Sequence, residues 1–354
     1  MQHSALSSHY DFPRGSFTTA INIIVQTSLR VIDYCFLSIY DVDTPRWVIR
    51  GEVAPLPTTG AQRLAYAADL FTAVRGCSWF QDTHWDFTPS SIIAAKPKTR
   101  RSIFFIHKML QALLYLAALD AAETINKTVV WDTTLAHPIT SLPTFDRVLH
   151  TASLSVWLVT TMDLQIIIPA LIALPLGSHP SSWSLLFNST LSATSVAGFW
   201  TRRWHSLYRR SFTRLAHLPW LIASKLFLPR LANFVRLVIV FAFSMGMHLI
   251  IEAWAPVDEQ HPHHVDWAIV FCFMMQPVGI LIERFFIVPL SRLLPRPLRE
   301  VVMRMWTWGF FIWTTGYWWD VWIRRGTHNR EDGGIGVSLV RRLDWGPWNK
   351  YKWE

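Results

Sequence analysis

Apolar residues recur in six long runs along the 354-residue chain, separated by polar, arginine-rich stretches. A helix needs about 20 mostly apolar residues to cross the hydrocarbon of a bilayer. Thr18–Tyr40, Ser102–Ala122, Leu149–Leu176, Leu231–Trp254, Asp266–Ile287 and Val301–Ile323 each approach that length. The pattern predicts an all-α polytopic membrane bundle of about 6–8 transmembrane helices, with a polar segment at 1–17, the bundle over 18–323 and a basic tail over 324–354. Polar residues inside the runs carry expectations of their own. Arg30 and Asp33 are three apart and would pair on one helical face. Lys108 lies near the start of the second run, where it would snorkel to the interface. Pro277 and Gly279 predict a kink or break in the fifth run. Asp41–Gly60, with Pro45, Pro55 and Pro57, reads as a linker.

Composition agrees with a membrane setting: 51% of residues are hydrophobic, 16% are charged, and there are 20 Trp and 22 Phe. The net charge of +9 would raise nucleic acid as a partner in a soluble protein. Here the basic residues cluster between apolar runs, which places them in cytosolic loops beside lipid phosphates and argues against nucleic acid. Arg46 to Arg101 precede the second run and Arg202 to Arg214 follow the third, so two crossings separate two cytosolic loops. The tail after the sixth run would then be lumenal despite its arginines and lysines, so that run is a hairpin or re-entrant, or one of the six is miscounted. The start of the chain lacks a basic segment followed by an apolar one, so no removable signal peptide is expected. Cys35, Cys77 and Cys272 are widely spaced and suggest neither a disulfide framework nor a thiolate metal site.

Two short segments are candidates for chemistry. His248 is an ionisable residue deep in the fourth run, a functional-site hypothesis by default. Glu252 follows four residues later on the same helical face, where it would orient the imidazole and favour its protonated form. The alternatives are a histidine bonded to a neighbouring helix, or a His248/Glu252 proton relay in a transporter for an amphipathic metabolite. FWTRRWHSLYRR at 199–210 packs arginines and aromatics together. It reads either as an interfacial anchor or as a site for a phosphorylated, adenine-bearing ligand such as coenzyme A. HPHH at 261–264 reads as a lumenal polar loop, because the chain has no HxxxH or HxxHH pair, and no metal is expected.

FWTRRWH (199–205) resembles the FWGRRWH or FWGRRWN signature of the wax synthase branch of the membrane-bound O-acyltransferase superfamily, and SMGMH (244–248) is similar to that family's SGxxH run. RGCSW (75–79) and MQPVGILIE (275–283) resemble segments of fungal members, in the same order. The resemblance implies an endoplasmic reticulum enzyme with an internal tunnel for acyl-CoA and acceptor. Its acyl-CoA, with acetyl-CoA expected, would be a co-substrate and not a bound cofactor. Its acceptor would be a hydrophobic alcohol, a terpenoid or meroterpenoid of fungal secondary metabolism. Carried over by position, His248 is the general base with Glu252 beside it, and Trp200, Arg202, Arg203, Trp204 and His205 form the acyl-CoA signature, with Arg209 and Arg210 left as the anchor. Thr201 stands where the signature has glycine, and the chain is expected to lack one or more N-terminal helices of longer members.

Overall fold

The computed structural model describes residues 14–41, 43–80, 82–94, 96–129, 131–132, 134–254, 265–325, 338 and 340. Twelve helical segments carry most of the described chain. The first four are α1 (Arg14–Val31), α2 (Gly60–Thr72), α3 (Ser90–Ala94) and α4 (Arg101–Asn126). They are followed by α5 (Thr144–Ala173), α6 (Val196–Gly198), α7 (Arg209–Leu215) and α8 (His217–Leu226). The last four are α9 (Pro229–Trp254), α10 (Trp267–Ile282), α11 (Val288–Ser291) and α12 (Arg296–Arg324). Three π-helical turns, Ile32–Phe36, Phe199–Arg203 and Glu283–Ile287, interrupt or join them.

Every apolar run is helical, but the span count is lower than the sequence suggests. Among the described residues, four helices are long and apolar enough to cross a membrane: 101–126, 144–173, 229–253 and 267–291. α1 and α12 fall outside that set. α12 is 29 residues long, yet Arg296, Arg299, Glu300 and Arg304 charge its first turns. It runs unbroken, so the sixth run is not a hairpin. The backbone N–H of Val340 donates to Asp120 Oδ2 at 3.0 Å, returning the tail to the far end of α4; the rest of the tail lies outside the described residues, as does HPHH at 261–264.

The chain is not purely helical. β1 (Trp47–Ile49), β2 (Glu52–Val53) and β3 (Thr83–Trp85) form a small antiparallel sheet in the order β2-β1-β3, whose first two strands lie inside the stretch that reads as a linker. Arg50 (φ 52°) and Gly51 (φ 94°) make the two-residue turn between β1 and β2, since both central positions of such a turn need positive φ. Trp47 pairs with Trp85 across the sheet, and α2 covers them through Tyr66, whose ring meets Trp47 at 5.2 Å and Trp85 at 5.0 Å. Asp69 ties this module together, accepting from Trp47 Nε1 and from the Trp79 backbone N–H, each at 2.8 Å. Arg75 then donates to the carbonyl of Ser184, and Cys77 Sγ lies 3.0 Å from Ser184 Oγ. RGCSW thus docks the module onto the loop that leads to the candidate site.

α4 and α5 form one helical hairpin, while α9 packs on both α8 and α10, and α10 on α12. Ile269, Trp319, Val321 and Ile323 are fully buried where α10 meets α12. Lys108 does not snorkel: it is 3% exposed and its Nζ donates to Gln111 Oε1 at 3.0 Å inside the bundle. α10 runs through Pro277 to Ile282, so the expected break is displaced to the π turn at Glu283. Gly279 has a steric role, because a Cβ there would overlap the Phe310 ring of α12. Gly279→Ala is expected to lower the melting temperature in detergent by several degrees, as overpacking costs about 1–3 kcal/mol; an unchanged value would show that the α10–α12 contact relaxes freely.

Candidate active site

The stretch from Ser195 to Arg214 lies between two buried carboxylates. Glu283, 4% exposed at the start of its π turn, accepts from Ser195 Oγ and from the Val196 backbone N–H, each at 2.6 Å. Asp33, 1% exposed in another π turn, accepts from Arg210 Nε at 2.7 Å and forms an ion pair with Arg214 at 2.5 Å. Asp33 therefore answers these two arginines and not Arg30, which instead donates to the carbonyl of Leu70 at 3.5 Å. Removing one partner of a buried ion pair costs about 3–5 kcal/mol and a hydrogen bond to a charged group contributes about 1.5–3 kcal/mol, so Asp33 by ion pairs and Glu283 by hydrogen bonds fix where this polar stretch sits.

Between these clamps the aromatic residues of FWTRRWH turn inward. Phe199 stacks on Trp204 at 5.1 Å, and Trp200 meets Phe241 of α9 at 5.5 Å. The arginines serve mainly as backbone fasteners. Arg203 Nη1 donates to the carbonyl of Ser189 (2.9 Å) and to Ser192 Oγ (2.6 Å). Arg209 Nη2 donates to the carbonyls of Trp200 (3.2 Å) and Thr201 (2.6 Å). Arg210 lies 4.2 Å over the Phe87 ring. Arg209 and Arg210 are thus held within the protein, which corrects their reading as a lipid anchor. Thr201, in the place of the signature glycine, donates its hydroxyl to the carbonyl of Ala197 at 2.7 Å and stays exposed. Arg202 is exposed, and its guanidinium has no partner among the described residues.

His205 comes next, and the fold carries it to α9. Tyr208 and Phe212 pack in one cluster with Met247 and Ile251, which flank His248 on that helix. His205 sits beside Trp204 (5.3 Å), Phe187 (5.9 Å) and Tyr208 (6.2 Å), and its Nδ1 has no hydrogen-bond partner. His248 stacks on Phe273 at 4.5 Å and meets Trp318 edge-on at 5.0 Å. Both side chains are partly buried among these aromatic rings. Burial, with His248 and Arg209 nearby, pushes the pKa of His205 down to about 3. It is therefore a neutral imidazole at physiological pH. Glu252 is 4% exposed, and its Oε2 lies 3.7 Å from Arg325 Nη1.

Two residues in MQPVGILIE matter beyond what the sequence reading assigned. Gln276, 1% exposed, accepts from Trp200 Nε1 at 3.1 Å and donates to the Cys272 carbonyl (2.8 Å) and Thr314 Oγ1 (3.2 Å). It joins the arginine-aromatic motif, α10 and α12 at one point. Phe273 and Trp318, the neighbours of His248, lie three and four residues from the two helical ends of that junction. Glu283 is the second, clamping the motif from outside. A lone glutamine in an apolar run and a glutamate at its end were the available signals. Among the described residues, no group of three or more His, Cys, Asp or Glu is placed to hold a metal ion.

Residues 183–274 match the model of the Membrane bound O-acyl transferase family, a stretch that contains both His205 and His248. The acetyltransferase eriL of Hericium erinaceus is 26% identical over 294 residues, covering 81% of this chain and 73% of that protein. The acetyltransferase ataH of Aspergillus terreus is 32% identical over 143 residues, 38% of this chain and 44% of its own. The acetyltransferase TRI7 of Fusarium sporotrichioides is 29% identical over 141 residues, 37% of this chain and 30% of its own. No solved structure matches the chain significantly.

Gln276→Leu leaves the Trp200 indole N–H buried without an acceptor, and stability is expected to fall by about 1–3 kcal/mol, read as a lower melting temperature in detergent. His205 supplies a pH test. Its pKa is about 3 folded against 6.5 unfolded, so below 6.5 the unfolded chain binds a proton that the folded one refuses. Stability is then full above pH 6.5 and declines between 6.5 and about 3, with a slope of at most about 1.4 kcal/mol per pH unit from this group. Thermal unfolding of His205→Gln should be less acid-sensitive than that of the wild type between pH 7.5 and 5; equal sensitivity would count against a buried neutral His205.

Proposed function

We propose that the chain is an acyltransferase of the membrane-bound O-acyltransferase type and that it moves an acetyl group from acetyl-CoA to a hydroxyl of a hydrophobic alcohol. The proposed acceptor is a terpenoid or meroterpenoid of fungal secondary metabolism, and the proposed setting is a multi-pass bundle of the endoplasmic reticulum membrane. The observation that carries the reading is the enclosed, aromatic-walled position of His248, approached by His205 from the FWTRRWH segment.

His248 acts as the general base. A neutral imidazole takes the acceptor hydroxyl proton as the oxygen attacks the thioester carbonyl. The new C–O bond forms, the C–S bond breaks, and the imidazolium returns its proton to the departing thiolate, giving the ester and free coenzyme A. Every proton is accounted for without a covalent enzyme intermediate. In this reading His205, neutral and with an Nδ1 that has no hydrogen-bond partner, hydrogen-bonds a reacting oxygen. Trp200, Trp204 and Arg203 build the wall, and Arg202, with its free guanidinium, is the member of the signature available to a coenzyme A phosphate. Glu252 acts from one turn away on α9, through the charge at the lumenal end of the site. The acetyltransferase names of the relatives support the short acyl group, and the Phe and Trp walls support an apolar acceptor.

Microsomes carrying the chain, given labelled acetyl-CoA and an alcohol acceptor, are expected to form the labelled ester, and His248→Ala should lower the rate by about 10²–10⁴-fold at equal protein level. Full activity in His248→Ala would remove the general base from the reading. A preference for long acyl-CoAs would overturn the acetyl assignment alone.

A further inference from the structure

We infer that the cytosolic end of the α4–α5 hairpin is a binding site for an anionic glycerophospholipid. A cavity of about 770 Å³ opens there, lined by residues that include Arg100, Arg101, Phe105, Ile106, Leu174 and Pro175. Arg100 and Arg101 are exposed, and neither guanidinium has a partner among the described residues. They stand out against Arg203, Arg209, Arg210 and Arg214, all of which are engaged by carbonyls or carboxylates. Two adjacent unpaired guanidiniums at the mouth of a pocket call for an anion with several acceptor oxygens, such as a phosphodiester.

Beside Thr99, Ser102 and His179, the remaining wall is apolar and points to a lipid as the source of that phosphate. Phe105, Ile106, Leu174 and Pro175 are apolar, and Leu174 is fully buried at the pocket floor. Ile106 also belongs to a stripe of exposed apolar residues along α4, with Ile103 (46%), Leu110 (55%), Leu113 (58%) and Leu114 (66%). Their three- and four-residue spacing makes one helical face, and on a membrane-spanning helix that face meets lipid tails. The cavity thus has apolar side chains on one side, Ile106 joining the exposed stripe of α4, and two cations on the other. An anionic phospholipid fits both halves, with its phosphate on Arg100 and Arg101 and an acyl chain running along Ile106. Basic pockets between membrane helices on the cytosolic side bind such headgroups. The inference does not depend on acetyl transfer.

The test uses the full chain purified in mild detergent, incubated with phosphatidylinositol and phosphatidylcholine of matched acyl chains, with retained lipid counted by native mass spectrometry. The wild type should retain phosphatidylinositol about tenfold over phosphatidylcholine, and Arg100→Gln/Arg101→Gln should bring the ratio to about one. Ile106→Trp, which fills the apolar wall and leaves both charges, should reduce retention of both lipids. Equal retention by the wild type, or a preference untouched by the double substitution, would overturn the site. Displacement of the phosphatidylinositol by free coenzyme A would overturn it too, since the arginines would then belong to a nucleotide phosphate.

Discussion

Glu283 and Asp33 grip a polar, arginine-rich segment from its two sides, and the arrangement of the candidate site follows from that grip. Without Asp33, Arg210 would lose its carboxylate partner and Arg214 would keep only Asp41, 2.9 Å from its Nη2, and breaking such a largely buried pairing is destabilising. With Asp33 at one end and Glu283 holding Ser195 and Val196 at the other, the short π turn between them has little freedom. Arg203 and Arg209 then fasten its carbonyls and the adjoining loop. The outcome is a connection between α5 and α9 that enters the protein and presents His205 near His248. Both clamping carboxylates sit in π-helical turns, and such bulges often mark functional sites because they re-aim side chains that a regular helix would direct elsewhere.

The sequence disclosed the parts of this arrangement that depend on local pattern. Long apolar runs became helices, since a helix is the only way such a run satisfies its backbone in lipid. The order of FWTRRWH and SMGMH indicated which two segments belong together. Partnerships between distant residues left no local trace. Asp33 and Arg210 are 177 positions apart, and Ser195 and Glu283 are 88 apart. For that reason Arg30 looked like the partner of Asp33, and Arg209 and Arg210 looked like lipid anchors. Lys108 misled in the same way, because composition suggested the interface while Gln111 supplied an acceptor inside the bundle. The small sheet was hidden because its strands are two or three residues long, too short for an alternating pattern to register, and β1 and β2 fall within a proline-rich stretch.

The surroundings of His248 and His205 are aromatic more than they are charged. Their neighbours are chiefly Phe187, Trp204, Tyr208, Phe273 and Trp318, which exclude water and keep His205 neutral. A neutral imidazole in such surroundings can accept a proton, whereas a solvated one would spend part of its time already protonated near pH 6.5. The charged residues of the motif thus act at a distance from the reacting atoms, by holding the backbone that places the rings. The most direct measurement of this account is the acetyl-transfer rate per folded molecule of Glu283→Ala and of Asp33→Ala, with folding checked by circular dichroism and monodisperse elution. The account predicts that each folded variant loses at least about tenfold in rate as the segment carrying His205 loses its hold; a folded variant with the wild-type rate would contradict it.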